Sequence, residues 1–234
     1  MCENSINVQV FEGQYDDEGV YVYQAYCHEI ADWAIEHQKF GGPGFNPRRM
    51  TWIKPSFAWV LYRSGYGRKH NQERVLKIKL SHETIGAILE ECECKHGGGG
   101  SLGRVQWDPA RDLYTVENGE PRKFLGKRAI QIGMKGRLSE QYVMSTISIE
   151  DVTDLAHLVG EAHAAAESKR YYSRSGETEG FASPLEALTE YLPLEREYIP
   201  QCSDAALERL GMVPGITADQ VAGLGRGKVG LRHK

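Results

Sequence analysis

The chain has 234 residues, of which 41% are hydrophobic and 26% charged, and its formal net charge is −4. These values are typical of an ordinary globular protein. The net negative charge argues against a protein whose whole surface binds nucleic acid or acidic membrane. It is compatible with a local basic groove. No apolar run approaches the roughly 20 residues that span a bilayer, so we expect no membrane partner.

The five cysteines are odd in number, and no signal-peptide pattern opens the chain. This usage predicts free thiols and a cytoplasmic location. Cys92, Cys94 and His96 have the spacing of part of a metal site, but no second ligand pair follows them. We therefore predict no metal site.

Strands and helices alternate in the first third of the chain. β-branched and aromatic residues predict a strand at Gly19–Tyr26, and the apolar spacing over 28–40 then changes to that of a helix. A second strand is predicted at 49–54. Pro55 fits the first turn of a helix that Gly65 ends.

The middle of the chain continues in the same way. Further strands are predicted at 74–80, 103–108 and 127–134, and helices after Ser81 and over 149–169. Because a proline has no N–H for a strand ladder, we expect Pro109 to end its strand and to leave Asp108 at the mouth of that strand.

The pattern as a whole predicts an α+β protein with one domain over residues 1–212. The Gly-Ser run at 97–101 is typical of a flexible loop, either engineered or natural, and no strand-turn-helix with a following Lys-Ser/Thr indicates a phosphate role for it. The basic, Gly-rich tail at 213–234 is expected to be mobile.

A stretch of mixed aromatic and polar residues, TWIKPS at 51–56, is the first candidate for a site. In an extended backbone Trp52, Lys54 and Ser56 share one face, which thus presents an aromatic plane, a cation and a hydroxyl group. Such a face suits a ligand with rings and phosphates. The alternative is an edge strand in which Trp52 packs and Lys54 extends to water.

Three more polar residues interrupt predicted strands. Gln131 lies between Ala129 and Gly133, whose small side chains leave space over the strand. Gln24 lies late in an otherwise apolar strand, and Asp108 lies at a strand end, where ligand groups often collect. An ordinary solvated strand face for Gln131 and a turn-capping role for Asp108 remain open.

Five blocks of the sequence carry a resemblance to a known family. The chain resembles the domain of unknown function 4291 family in VYQAY, RMTWIKPSFAWVLYRSGYGRK, VQWDPARD, RAIQIGM and IEDVTD. The similarity extends from about Val20 to Met212, and the block MTWIKPSF with YRSG is its most specific part. The family name itself carries no function.

By the order of its blocks, the chain is more distantly similar to ADP-ribosyltransferase-like domains. This resemblance implies a compact domain of two small sheets with inserted helices, here with a helical C-terminal extension, and NAD bound as a substrate between the sheets. It places Gln24 on the first strand, Lys54 and Ser56 on the second, and Asp108 or Gln131 on a later one. The His or Arg usual on the first strand is missing.

The usual catalytic Glu also has no clear counterpart, and Glu73 and Glu140 are the nearest. The resemblance implies Asp108 and Gln131 as the catalytic pair, because a carboxylate stabilises positive charge on the ribose as the nicotinamide leaves. It also implies cofactor-binding residues. Tyr26 and Trp52 would stack on the nicotinamide, and Arg49, Lys54 and Arg63 would hold the diphosphate, with Gln24 and Ser56 beside them.

Two functions follow as expectations. The first is an NAD-dependent ADP-ribosyltransferase-like enzyme, with a nucleic acid or a nucleotide-like molecule as acceptor. The second is a non-catalytic module that binds a nucleotide or nucleic acid through the same aromatic and cationic residues. A carboxylate that converges with Gln131 and Lys54 would favour the enzyme.

Overall fold

The structure, a computed structural model, describes residues 8–94, 101–173 and 185–212. Within these residues the chain is a mixed α+β protein with three small sheets and six α-helices. Nearly all of the predicted loop at 97–101 and the whole tail at 213–234 lie outside them. None of the helices in the described part of the chain is long and apolar enough to cross a membrane.

The elements are as follows in chain order. The strands are β1 Val8–Gln9, β2 Glu12–Gly13, β3 Gly19–Tyr26, β4 Thr51–Ile53, β5 Arg74–Ser81, β6 Cys92–Cys94, β7 Gly103–Glu117, β8 Glu120–Met134, β9 Thr146–Asp151 and β10 Arg196–Glu197. The helices are α1 His28–His37, α2 Phe57–Ser64, α3 His82–Glu90, α4 Arg137–Met144, α5 Thr153–Ser173 and α6 Asp204–Arg209, with a 3₁₀ turn at Glu186–Leu188.

The first sheet has three antiparallel strands in the order β3-β5-β9. The alternation of β5 sets its faces, since Leu76, Ile78 and Leu80 are all fully buried in the main core. Ser81 begins the next helix as predicted, because its hydroxyl accepts a hydrogen bond of 3.1 Å from Thr84 N.

The second sheet has five strands and is built on the long hairpin of β7 and β8. β4 and β1 pair with the other edge of β8, and β6 pairs with β7. The expectation that Pro109 ends its strand is wrong, since β7 continues to Glu117. The ladder shifts register between Pro109 and Arg111, so the strand passes the proline through an irregularity and continues.

Helix α2 begins at Phe57, two residues after Pro55, which the sequence placed in its first turn. Ser56, not Pro55, is its boundary, and the Ser56 hydroxyl accepts a hydrogen bond of 3.4 Å from Trp59 N. Gly65 ends the helix as predicted, with φ of 58° in the left-handed region.

The two larger sheets share the chain around β4. Thr51–Ile53 pairs with β8 of the second sheet, and the next residue, Lys54, pairs with Tyr23 of the first sheet. Two backbone hydrogen bonds make that bridge, Tyr23 N to Lys54 O at 2.7 Å and Lys54 N to Tyr23 O at 3.1 Å. The sheets are therefore joined at Lys54.

The C-terminal segment is more than the helical extension expected from the sequence. β10 pairs with β2 in a third, two-stranded sheet, so the described chain has more than the two sheets that the distant resemblance implies. α6 places Leu207 and Leu210 in the main core, and the Trp107 indole donates a hydrogen bond of 2.8 Å to Leu210 O. The segment thus packs against the same core as the sheets.

Candidate active site

A cleft of about 810 Å³ opens beside the joint of the two sheets. Its walls come from β3, β4, α2, β7 and β8. Its volume falls within the range of about 300–1,000 Å³ that is common for small-molecule sites. The sequence-predicted residues that line it are Gln24, Tyr26, Trp52, Lys54, Arg63, Asp108 and Gln131.

The floor of the cleft is one face of the β7–β8 hairpin. Gln106 and Gln131 stand opposite each other in the ladder, and Asp108 lies two residues along from Gln106 on the same face. The Gln131 amide donates a hydrogen bond to the Asp108 carboxylate. Since Gln131 is only 8% exposed, this bond fixes a carboxylate in position at the base of the cleft.

Lys54 enters the cleft from the joint between the sheets. It is 9% exposed, and its ammonium nitrogen lies 3.5 Å from Trp52 O and 5.0 Å from the centre of the Trp59 ring. Burial, and to a lesser extent the nearby Arg63 charge, lower the pKa of Lys54 to about 8 against the opposing charge of Asp108. A buried amine without its full water shell is well placed to bind an anion.

Gln24 lines the cleft, but its amide is already engaged. Its nitrogen donates to Trp52 O at 2.9 Å and to Thr51 Oγ1 at 3.0 Å, and lies 3.2 Å from the Tyr26 hydroxyl. Its oxygen accepts a hydrogen bond of 2.6 Å from Tyr142. Gln24 therefore fastens β3 to β4, and this polar residue in an apolar strand has a structural partner for each end of its amide.

Tyr26 belongs to the same network. Its hydroxyl lies 2.6 Å from Thr51 Oγ1, and burial raises the pKa of the phenol, with hydrogen bonds from Thr51 and Gln24 and the charge of Arg49 acting in the opposite direction. Its ring packs against Phe40 at a centroid distance of 5.4 Å. One edge of Tyr26 is thus in the core while the residue lines the cleft.

The Trp52 ring occupies the space next to Gly133, so this position has no room for a side chain. In the ladder Trp52 stands opposite Gly133, and a Cβ atom on Gly133 would meet the indole ring at 2.7 Å. The space over β8 that the sequence indicated at Gly133 is therefore filled by the Trp52 ring. Trp52 also lines the cleft.

A model of the family described as Domain of unknown function (DUF4291) matches residues 10–198, which is most of the chain. The chain belongs to this family. A comparison with curated proteins gives no match. The resemblance stated from the sequence blocks is thereby confirmed for DUF4291, whose description names no activity.

Two sequence-predicted residues of this DUF4291 chain do not line the cleft. Ser56 is buried and caps α2, so its hydroxyl serves the helix. Arg49 is exposed in the loop before β4, close enough to Tyr26 for its charge to act on the phenol. The two alternative carboxylates, Glu73 and Glu140, also lie outside the lining, and among the described residues that line the cleft Asp108 is the one carboxylate.

Sequence reasoning missed several residues of the DUF4291 cleft wall. Trp59 and Tyr62 line it together with Arg63, at the i, i+3 and i+4 positions of α2 that share one face. The aromatic and basic residues that recur on this one face of the helix are the sequence signal that could have found them. Lys123 from β8 also lines the cleft.

Sequence reasoning also missed Arg111, which lines the cleft from β7. Its guanidinium carbon lies 3.4 Å from the centre of the Tyr62 ring, and its Nη1 donates to Pro121 O at 3.1 Å. Within the described residues, its buried Nε has no hydrogen-bond partner. Arg111 lies beyond the predicted end of its strand, so the error about Pro109 concealed it.

Metal ligands do not gather in the described part of the chain, where no group of three or more His, Cys, Asp or Glu residues could hold an ion. Cys92 is buried, and burial raises the pKa of its thiol to about 12. His96, the third member of the sequence pattern, lies outside the described residues.

Proposed function

We propose that this protein cleaves the nicotinamide–ribose bond of NAD and transfers ADP-ribose to an acceptor. The observation that carries the proposal is the convergence of one carboxylate, Asp108, with Gln131 and Lys54 in a cleft whose walls are aromatic and basic. This convergence is what distinguishes the enzyme from a simple binding module, since binding alone needs no fixed carboxylate.

Asp108 supplies the electrostatic part of the reaction. As the bond between ribose C1′ and the nicotinamide nitrogen breaks, its electron pair leaves with nicotinamide and positive charge develops on the ribose. A carboxylate held in place before the reaction stabilises that charge without reorganisation. Gln131 holds Asp108 through its donated hydrogen bond, so Gln131 is the positioning residue of the pair.

The acceptor then completes the transfer. An oxygen or nitrogen of the acceptor forms the new bond to C1′ and loses its proton to solvent. With water in place of the acceptor, the products are ADP-ribose, nicotinamide and a proton. This hydrolysis gives an assay that needs no knowledge of the acceptor.

The remaining cleft residues suit the other parts of NAD. Lys54, Arg63, Arg111 and Lys123 provide four cations for a diphosphate that carries two negative charges. The rings of Trp52, Trp59 and Tyr62 provide flat surfaces for the nicotinamide and adenine rings.

The test is an assay of nicotinamide release from NAD, in which chromatography measures the nicotinamide formed. Asp108→Asn should lower the rate by at least about 10²-fold, the scale of removing one preorganised electrostatic group. The matched control is Asp17→Asn, which changes an exposed carboxylate that is distant from Asp108 in the sequence and should leave the rate unchanged. Equal rates for the wild type and Asp108→Asn would overturn the catalytic assignment.

A second candidate is a module that binds a nucleotide without cleaving it. One observation favours it. The side-chain amide of Gln24, on β3, is already hydrogen-bonded to Trp52, Thr51 and Tyr142 and offers no free donor to a ligand. In this case NAD or another nucleotide would bind with an affinity that depends on Lys54, and no nicotinamide would be released.

A further inference from the structure

The outer part of the β7–β8 hairpin, residues 111–128, forms what we call the distal arm. It carries five basic and three acidic residues, a net charge of +2 in a chain whose formal net charge is −4. Two of its cations are already paired, Arg111 with Glu120 at 3.9 Å and Lys127 with Glu12. The arm is thus a basic segment of an acidic protein, and it reaches the cleft through Arg111 and Lys123.

The arm also exposes large apolar side chains. The exposed fractions are 56% for Tyr114, 50% for Phe124 and 78% for Leu125. Arg122 and Lys123 precede the last two directly and are exposed as well, so four consecutive residues of β8 face solvent. A strand that belonged only to the core would bury every second side chain.

An irregularity in the ladder produces this exposure. Pro109 pairs with Arg128, and Arg111 pairs with Lys123, so two steps along β7 match five steps along β8. Residues 124–127 of β8 therefore stand against Ala110 alone, three residues more than a regular ladder would place there. Gly126 among them adopts a φ of 87° in the left-handed region. Bulges of this kind re-aim side chains, often beside active sites.

We infer that the distal arm binds a single-stranded nucleic acid and presents it to the cleft as the acceptor. Exposed rings provide stacking surfaces for unpaired bases, and neighbouring cations bind the phosphates between them. Phe124 and Tyr114 supply the rings, and Arg122 supplies a cation. Lys123 connects the two sites, because it belongs to the arm and also lines the cleft. The role of this nucleic acid as acceptor rests on the proposed function, whereas its binding to the distal arm does not.

The first measurement is fluorescence anisotropy of the whole protein with labelled oligo(dT) and oligo(U) of about 12 nucleotides, a length in the usual site range. Phe124→Ala should weaken binding by about 5- to 150-fold, the factor that corresponds to loss of one stacked base. Leu194→Ala is the matched control, because Leu194 is 69% exposed on another part of the molecule, and it should bind as the wild type does.

The second measurement is the salt dependence of the same binding. Arg122→Gln should reduce the slope of log affinity against log salt by about 0.7, the value for one phosphate contact on a single strand. Binding of a duplex that equals or exceeds that of the single strand would overturn the inference. So would the absence of oligonucleotide binding by the wild type, or equal binding by Phe124→Ala.

Nicotinamide release from NAD in water separates this inference from the proposed function. Phe124→Ala should hydrolyse NAD as the wild type does, since Phe124 does not line the cleft. If the wild type releases no nicotinamide while oligonucleotide binding still depends on Phe124, the proposed enzyme fails and the nucleic-acid surface stands. If NAD is cleaved and no oligonucleotide binds, the acceptor belongs to another class.

Discussion

At the scale of single residues, Lys54 shows how a binding group can lower the stability of its own fold. Burial lowers its pKa to about 8 from the ordinary value of 10.5. Between these two values the unfolded chain binds more protons than the folded chain, so this residue makes stability rise with pH there. Below about pH 8 both states are charged, and the folded state bears the full desolvation penalty.

Lys54→Met should therefore stabilise the protein at pH 7 while it abolishes binding of a phosphate ligand. We expect a gain on the order of 1–3 kcal/mol in the free energy of unfolding, since an apolar side chain of similar length replaces a buried charge. The gain should shrink between about pH 8 and 10.5, where the native amine is neutral. Urea denaturation at pH 7 and pH 10 measures both values.

Lys39→Met serves as the control for Lys54→Met, because Lys39 is exposed and its replacement should change neither stability nor binding appreciably. A loss of stability for Lys54→Met at pH 7 would contradict the argument. It would mean that attraction to Asp108 outweighs desolvation.

The sequence could identify polar residues in unusual places but could not distinguish a ligand from a neighbouring side chain as their partner. Gln24 and Asp108 carried the same signal, one polar residue in or after an apolar strand. The structure gives Gln24 partners on β4 and α4, and places Asp108 in the cleft with Gln131. These partners are 23 or more positions away along the chain, so no local pattern contains them.

At the scale of elements, α2 depends on a residue from the far end of the chain. Glu195 accepts a hydrogen bond of 2.6 Å from Phe57 N, at the first turn of the helix that carries Trp59, Tyr62 and Arg63 into the cleft. The pKa of Glu195 is nevertheless raised to about 7, mainly by burial and also by the Glu12 charge. The hydrogen bonds from Phe57 and Ser56 and the charge of Lys127 act in the opposite direction.

The pH dependence from Glu195 has the opposite sign to that of most acids. Between the ordinary value of 4.5 and about 7 the folded chain binds more protons, so this residue makes stability fall as pH rises through that range. Glu195→Gln should remove the dependence and stabilise the protein at pH 8 by about 1 kcal/mol, with no difference at pH 4.5. Thermal unfolding across this range measures it.

A matched comparison for Glu195→Gln is Glu190→Gln, which changes an exposed carboxylate of the same segment and should leave the profile unchanged. If Glu195→Gln is less stable than the wild type at pH 8, then the attraction between the ionised carboxylate and the helix N-terminus dominates over burial.

The elements themselves were largely predictable where one period runs through them. In β5 the alternating residues Leu76, Ile78 and Leu80 lie in the core as predicted, and Ser81 and Gly65 give the helix boundaries that their chemistry favours. The prediction ended the first strand of the long hairpin at Pro109, because a local rule about proline cannot anticipate a shift in register. That shift is decided by the pairing of two strands, and pairing is not visible in either strand alone.

At the scale of the whole molecule, α6 is part of the main core. Leu210 is fully buried there, and its carbonyl accepts the Trp107 hydrogen bond of 2.8 Å. Arg209 Nη2 also donates to Glu90 O at 2.7 Å, which attaches α6 to α3. The short polar sequence around α6 gave no sign of this role, since six residues are too few to show a helical period.

Leu210→Ala should therefore destabilise the whole protein. We expect a loss of about 2–5 kcal/mol in the free energy of unfolding, the usual effect of a cavity at a fully buried leucine. Far-ultraviolet circular dichroism and tryptophan fluorescence should still change together in one transition. Leu194→Ala, at an exposed leucine, should shift stability by less than about 0.5 kcal/mol. A separate early transition in Leu210→Ala would show that the segment unfolds alone.

The joint at Lys54 has a consequence for the kinetics of ligand exchange. Thr51–Ile53 is held by one sheet and Lys54 by the other, so the sheets cannot move apart without breaking the backbone hydrogen bonds between Lys54 and Tyr23. The base of the cleft therefore has a fixed width before any ligand arrives. Association should then be a single bimolecular step whose observed rate rises linearly with ligand concentration, and residence time should be set by departure past the side chains of α2 and the hairpin.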